Sequence, residues 1–135
     1  MTVPPHLSPP TDGRDYLFSL THHGVKLGLE NITGILAACG NPHERFPAVH
    51  VAGTNGKGSV LAFLDAMLRA SGYRSGRFTS PHLIDVRERF LIDAVPLTES
   101  RFEALAAGLR EAAATLPHPP TFFELTTALA FEAFA

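Results

Sequence analysis

The sequence predicts an α/β fold in which helices flank a parallel sheet. Three observations predict it. A short run, Ala48 to Ala52, leads into a glycine-bearing turn; apolar residues at helical spacing follow from Val60; and a second extended run, Tyr73 to Thr79, follows Ser71-Gly72. Strand, crossover helix and strand in that order make a right-handed βαβ unit. The turn then lies at the C-terminal edge of its strand, where open α/β sheets bind ligands.

Two helices precede that unit. Asp12 to His23 carries Tyr16, Leu17 and Leu20 on one side and stops at Gly24. After a loop, Val25 to Gly28, a second helix carries Leu29, Ile32, Leu36 and Cys39 at helical spacing. Gly40-Asn41-Pro42 ends it, as a left-handed cap followed by proline should. Phe46-Pro47 delivers the chain to Ala48. In the crossover helix, Val60, Phe63, Leu64, Met67 and Leu68 form the apolar stripe. Beyond Ser80-Pro81-His82-Leu83, the stretch Arg87 to Val95 is extended and suits a small hairpin. Thr98 or Ser100 caps the next helix, the latter with Glu103 at capping-box spacing. Its stripe is Phe102, Leu105, Leu109 and Ala112, and Pro117, Pro119 and Pro120 break it. Thr121 opens a last helix that is apolar nearly all round (Leu125, Leu129, Ala130, Phe131, Phe134) and belongs between other layers. A doubly wound fold would follow it with another strand, so the sequence reads as part of a larger protein, with apolar surface left uncovered there.

Composition narrows the class. With 135 residues, 45% of them hydrophobic, the chain is globular and large enough for one small domain. A net charge of −2 gives no electrostatic case for nucleic acid. Cys39 is the single cysteine, so no intramolecular disulfide forms, and its apolar stripe makes it a packed thiol. No apolar run approaches the roughly 20 residues of a membrane span. Residues 1–11 form a proline-rich, flexible lead-in without a basic signal region, and residues 12–135 form the domain. A cytoplasmic location follows as the expectation.

The turn carries the chemistry. Gly53-Thr54-Asn55-Gly56-Lys57-Gly58-Ser59 places three glycines around a lysine at a helix start. Glycine lets backbone bend closely around an anion. The first amides of the helix lack helical partners, and its dipole adds roughly half a positive charge. Lys57, one of only two lysines, adds a full charge. The result is a phosphate cradle of P-loop NTPase-like type, suited to a nucleotide. It departs from G-x-x-x-x-G-K-[ST] twice: Val51 stands where the first glycine belongs, and Gly58 delays the hydroxyl to Ser59. The competing reading is a plain Gly-Asn-Gly loop with Lys57 as a solvated charge.

Those departures resemble the nucleotide loop of the Mur ligase superfamily of ATP-dependent amide-bond ligases. Thr79-Ser80-Pro81-His82-Leu83 with Glu88-Arg89, Leu27-Gly28-Leu29-Glu30, and Thr121-Phe122-Phe123-Glu124 resemble, in the same order, the folylpolyglutamate synthase and dihydrofolate synthase family. The resemblance implies a truncated Mur-ligase-type ATPase domain, incomplete at its C-terminus. It implies ATP and Mg²⁺, a folate or dihydropteroate substrate, L-glutamate, and an acyl-phosphate intermediate. By position, Gly53 to Ser59 would be the ATP loop, with Lys57 catalytic through phosphate neutralisation. Ser80 would ligate magnesium, with Ser59 the rival hydroxyl. Leu27, Gly28, Leu29, Glu30, Thr121, Phe122, Phe123 and Glu124 would line the pteroate site. Lys26 stands where some members carry an acidic residue. Thr121 and Glu124 also form a capping box, Phe122 and Phe123 also suit a core, and His82 suits a structural turn. Further magnesium ligands and a C-terminal domain would lie outside this chain, so alone it would not be a competent synthetase. The alternatives are a non-catalytic nucleotide-binding remnant and another P-loop small-molecule kinase.

Overall fold

The computed structural model describes residues 12–23 and 28–135. The lead-in and Gly24, Val25, Lys26 and Leu27 lie outside the described residues. Among the described residues five α-helices form where apolar spacing places them: α1 Gly13–Ser19, α2 Glu30–Ala38, α3 Lys57–Ala70, α4 Glu99–Ala113 and α5 Phe122–Phe134. Three strands form one sheet: β1 Gly76–Phe78, β2 Phe90–Ile92 and β3 Val95–Pro96.

Helix ends follow their local chemistry. Asp12 caps α1 by accepting from the Asp15 amide at 2.7 Å. Thr98, rather than Ser100, caps α4 and accepts from the Arg101 amide at 3.3 Å. That leaves Glu103 to accept from the Gly13 amide at 2.6 Å, tying α1 to α4. Behind α2, Gly40 and Asn41 both have positive φ (75° and 52°), and the Asn41 amide reaches back to the Leu36 carbonyl. This is the expected left-handed exit before Pro42.

The core lies among α1, α2, α4, α5 and one face of the sheet. Leu17, Ile35, Phe90, Phe102, Leu109, Leu125 and Leu129 are at most 2% exposed, so each contributes its full burial energy, about 1.5–3 kcal/mol. Ring contacts join the layers: Phe90 lies 5.5 Å from Phe78 and 6.1 Å from Phe102, between centroids.

The sheet among the described residues differs from the parallel one that the sequence predicts. All of its pairings are antiparallel, β1 with β2 and β2 with β3. Asp93 and Ala94 both have positive φ and make the two-residue turn that joins β2 to β3, within the expected Arg87–Val95 region. Ala48 to Ala52 is extended but belongs to no strand, and Val49 is 66% exposed. A strand exists only through its ladder. Among the described residues that segment takes part in no strand pairing, and β1, at the sheet edge, pairs only with β2 and leaves its other side open.

The burial pattern of the helices also differs from expectation. α5 is well covered, with Leu125, Ala128, Leu129 and Ala130 buried, so it does not leave an open apolar face. The open face belongs to α3. Val60, Phe63 and Met67 are 51%, 70% and 60% exposed, and the buried residue of that helix is Asp65. Asp65 takes hydrogen bonds from the Ser75 hydroxyl and, at 3.4 Å, from Arg69, which anchors α3 to the start of β1.

Candidate functional site

At the head of α3 the backbone turns through Gly53 and Gly56, whose φ values are +152° and +76°. Gly56 is the N-cap, in the left-handed region that a Cβ disfavours. It brings no capping side chain, and the helical ladder begins only where the Val60 amide donates to the Gly56 carbonyl at 3.0 Å. The amides of Lys57, Gly58 and Ser59 therefore precede the ladder. A Cβ on Gly56 or Gly58 would meet nothing within 4 Å. Gly56 is required by conformation, whereas Gly58 is helical and open, leaving its backbone free to be approached. Residues 52–60 are all exposed. The Lys57 ammonium folds back onto the loop, donating to the Gly53 carbonyl and, at 3.2 Å, to the Thr54 carbonyl. The loop thus holds a cation, three open amides and a helix dipole at one exposed point.

A second cluster forms behind β1. The chain leaves the strand through Thr79, whose amide donates to the Arg89 carbonyl at 3.1 Å, and turns at a cis Ser80–Pro81 bond. Arg89 organises this turn. Its guanidinium donates to the His82 Nδ1 at 2.8 Å and to the Ser80 hydroxyl at 3.2 Å, and stacks 5.1 Å above the Phe122 ring. Only 6% of Arg89 is exposed, and burial lowers its pKa from the usual arginine value. The His82 ring meets Phe18 edge-on, 6.2 Å between centroids, and Phe18 in turn lies 5.8 Å from Phe122.

The loop after His82 is pinned from one residue. The Glu88 carboxylate accepts from the amides of Asp85, Leu83 and Ile84, at 2.8, 2.9 and 3.1 Å. Those amides, Asp85 first, hold its pKa below the usual value. Asp85 closes the capping box by accepting from the Arg87 amide. Its own carboxyl is held well below the usual range, chiefly by the Arg87 guanidinium at 2.9 Å. Pinned this way, Leu83 and Ile84 are presented to solvent, each 92% exposed.

Thr121 to Glu124 lies at the start of α5. The Thr121 amide and hydroxyl both donate to Glu124 Oε2, at 2.7 and 3.0 Å, and the Glu124 amide returns a bond to Thr121 at 3.2 Å. The capping box is therefore formed, and Oε1 is the carboxylate oxygen outside it. Phe122 is half-buried under Arg89, while Phe123 is 58% exposed with its ring 6.3 Å from Phe78. Gly28, Leu29 and Glu30 are exposed at the start of α2. The next residue, buried Asn31, donates to the Pro119 carbonyl at 3.2 Å, which places this patch at the same end of the α2–α5 pair as Thr121.

The structure thus joins Ser80, His82 and Phe122 through Arg89, and brings Gly28 to Glu30 toward Thr121. Among the described residues no hydrogen bond, ion pair or ring contact links the Gly53–Ser59 loop to the Ser80 turn. Arg89 and Phe18 are absent from the sequence-derived site residues. Asp85-x-x-Glu88 shares the capping-box spacing of Thr121-x-x-Glu124, and that signal could have marked the first of the two turns as built.

The chain resembles known proteins over nearly its whole length. No protein-family model matches it. It is 38% identical over 128 residues to the dihydrofolate synthase/folylpolyglutamate synthase of Bacillus subtilis, a match covering 92% of this chain and 30% of that protein. A crystal structure of folylpolyglutamate synthase from Thermotoga maritima superposes with a TM-score of 0.81 at 36% identity, over 90% of this chain and 30% of that one. The E. coli FolC complex with DHPP and ADP matches with a TM-score of 0.78 at 32% identity, over 94% and 31%. These solved folds are of the Mur-ligase type, and the fold described above is α/β like theirs. The chain belongs to the folylpolyglutamate/dihydrofolate synthases and corresponds to their N-terminal part. It spans about 30% of the length of the Bacillus subtilis relative.

Proposed function

We propose that this chain is the nucleotide-loop portion of an ATP-dependent ligase that adds L-glutamate to dihydropteroate or folate. The observation that carries the reading is the Gly53–Ser59 loop, with open amides, a left-handed Gly56 cap and Lys57 at one exposed helix start. Relatives solved in complex with DHPP and ADP and with AMPPCP and folate support the nucleotide and a folate-type substrate.

In this reading Lys57 releases the Gly53 and Thr54 carbonyls and turns to the β- and γ-phosphates, with the amides of Lys57, Gly58 and Ser59 as further donors. Transfer of the γ-phosphoryl group to the substrate carboxylate gives an acyl phosphate. The amine of glutamate attacks its carbonyl carbon, an amide forms, and phosphate leaves. Lys57 and the loop amides act by neutralising charge where two anions must meet.

The donor set fits Mg²⁺ through a single protein ligand. Among the described residues no group of three or more His, Cys, Asp and Glu gathers to hold a metal. Ser80 is exposed and its hydroxyl accepts from Arg89, so one lone pair remains for a cation that keeps most of its waters. Bound there, the ion would lower the charge between phosphate and acceptor oxygens. Gly28, Leu29, Glu30, Thr121, Phe122, Phe123 and Glu124 line the pteroate side, Leu27 completing that patch in sequence. Ala48 to Ala52 serves as a parallel strand once neighbouring strands of a longer chain reach it. Residues 12–135 form one part of the ATP-binding domain, and cytoplasmic folate metabolism is its setting.

The test is glutamate addition by a protein that joins this region to the remaining length its relatives possess. With ATP, Mg²⁺ and dihydropteroate or folate, labelled glutamate enters the product, and Lys57→Ala abolishes this. A Lys57→Ala protein with full rate would contradict the role of the loop.

A further inference from the structure

We propose that Phe18, on the first helix, is a positioning residue for the Ser80 turn. The proposal rests on the reading of Ser80 as the cation-side hydroxyl. Five contacts run from the helix to the hydroxyl, in two branches that meet at Arg89. The Phe18 ring meets His82 edge-on at 6.2 Å and lies against Phe122 at 5.8 Å. His82 Nδ1 and the Phe122 ring in turn fix the two faces that a guanidinium can use, its N–H edge and its flat π surface: Arg89 donates to the former at 2.8 Å and stacks on the latter at 5.1 Å. With both fixed, the remaining arm of Arg89 reaches the Ser80 hydroxyl at 3.2 Å.

The orientation of that hydroxyl decides what it can bind. A serine hydroxyl has one proton and two lone pairs. While Arg89 donates to it, one lone pair is taken and the direction of the other is set. Without the contact the hydroxyl turns freely, and its ligand geometry is lost.

Phe18 is otherwise a strange choice for its place. It is 39% exposed, whereas the core positions of α1 and the turn after it, Leu17 and Leu20, are 1% and 5% exposed. Removing a ring from a partly open position costs little packing, so its contribution to the fold is separable from its contribution to the turn. Its ring contacts are with His82 and Phe122, neither of them in the Gly53–Ser59 loop. Helix α1 would thereby report its docking to the site, because any shift of α1 against α5 moves Phe18 across Phe122 and His82 together.

The experiment compares the wild-type chain with Phe18→Ala, Phe18→Leu and Phe18→Tyr in two measurements. Calorimetric titration with ATP, in Mg²⁺ and in EDTA, gives the gain in affinity due to the cation. Nuclear magnetic resonance of the His82 ring reports its geometry without any ligand. Loss of an edge contact of this kind lowers the cation-dependent gain about three- to tenfold in Phe18→Ala and Phe18→Leu. Affinity in EDTA stays unchanged, the His82 resonances shift, and Phe18→Tyr restores both. A merely structural role would instead lower both affinities together, or leave Phe18→Leu like wild type, and either result overturns the proposal. If wild type shows no cation-dependent gain, the Ser80 reading fails, and the resonances then decide the positioning itself: unshifted His82 signals in Phe18→Ala overturn it, and shifted signals restored by Phe18→Tyr support it.

Discussion

Gly56 and Gly58 look alike in the sequence, yet the structure asks different things of them. Gly56 has φ +76° and caps α3, so a side chain there is strained even though its Cβ would meet no atom. Gly58 is helical with open space around it. Gly56→Ala should therefore cost about 1–2 kcal/mol of stability, the usual penalty for a left-handed L-residue. Gly58→Ala should stabilise by up to about 1 kcal/mol through helix propensity, while its methyl crowds the phosphate approach and weakens ATP binding. Chemical denaturation and ATP titration of both variants check this pair. Glu88 supplies a pH dependence. Its folded pKa is lowered by three backbone amides, so its stabilising effect is present above the unfolded carboxylate value, about 4.3, and is lost as pH falls through the lower folded value. Thermal melts should thus show stability falling below about pH 4.3, and Glu88→Gln should flatten that fall. A slope unchanged in Glu88→Gln would remove the carboxylate from the explanation.

Element by element, what the sequence made legible was local. Caps, breaks and apolar spacing depend on neighbours within four residues, and they located α1 to α5 and the Thr121–Glu124 box correctly. Burial and strand pairing depend on distant partners, and there the reading failed. Val60, Phe63, Leu64, Met67 and Leu68 have the spacing of a buried stripe, but periodicity cannot say which layer covers it. The apolar run in α5 raised the opposite error, since the α1, α2 and α4 layers that enclose it are set far away in the chain. The consequences for stability separate the two helices. Leu129→Ala, at a fully buried position, should cost about 2–5 kcal/mol. Thr121→Ala should cost about 1 kcal/mol through its cap. Phe63→Ala, at 70% exposure, should lie within about 0.5 kcal/mol of wild type. Urea denaturation of the three variants ranks them, and a Phe63→Ala loss matching Leu129→Ala would contradict the open face of α3.

For the whole molecule, the same face has a second consequence. Val49, Val60, Phe63, Met67 and Tyr73 are each more than half exposed around one end of the chain path from residue 49 to 73. Apolar surface of this extent, on and beside a single helix, marks a place where another layer associates. The chain spans about 30% of the Bacillus subtilis relative, and the Ala48–Ala52 backbone offers an unused ladder beside α3. Light scattering of this chain should show concentration-dependent association, reduced by Phe63→Glu with Met67→Glu; a monomer at all concentrations would show that the face tolerates water unaided. The backbone of the Gly53–Ser59 loop was the part of the candidate site most readable in advance, because a glycine turn at a helix start is a local property. The Ser80 turn was readable as a motif but not as a mechanism. Its organiser, Arg89, joins Ser80 and His82 of one turn to Phe122, forty residues further on, and no spacing announces that.

The reading of the Gly53–Ser59 loop requires that it bind nucleotide phosphate through Lys57. Calorimetric titration of this chain with Mg-ATP, beside Lys57→Ala, measures it. The prediction is saturable one-to-one binding by the wild type, weakened at least about tenfold in Lys57→Ala by loss of charge-assisted phosphate contacts. Equal affinity in the two proteins would contradict it.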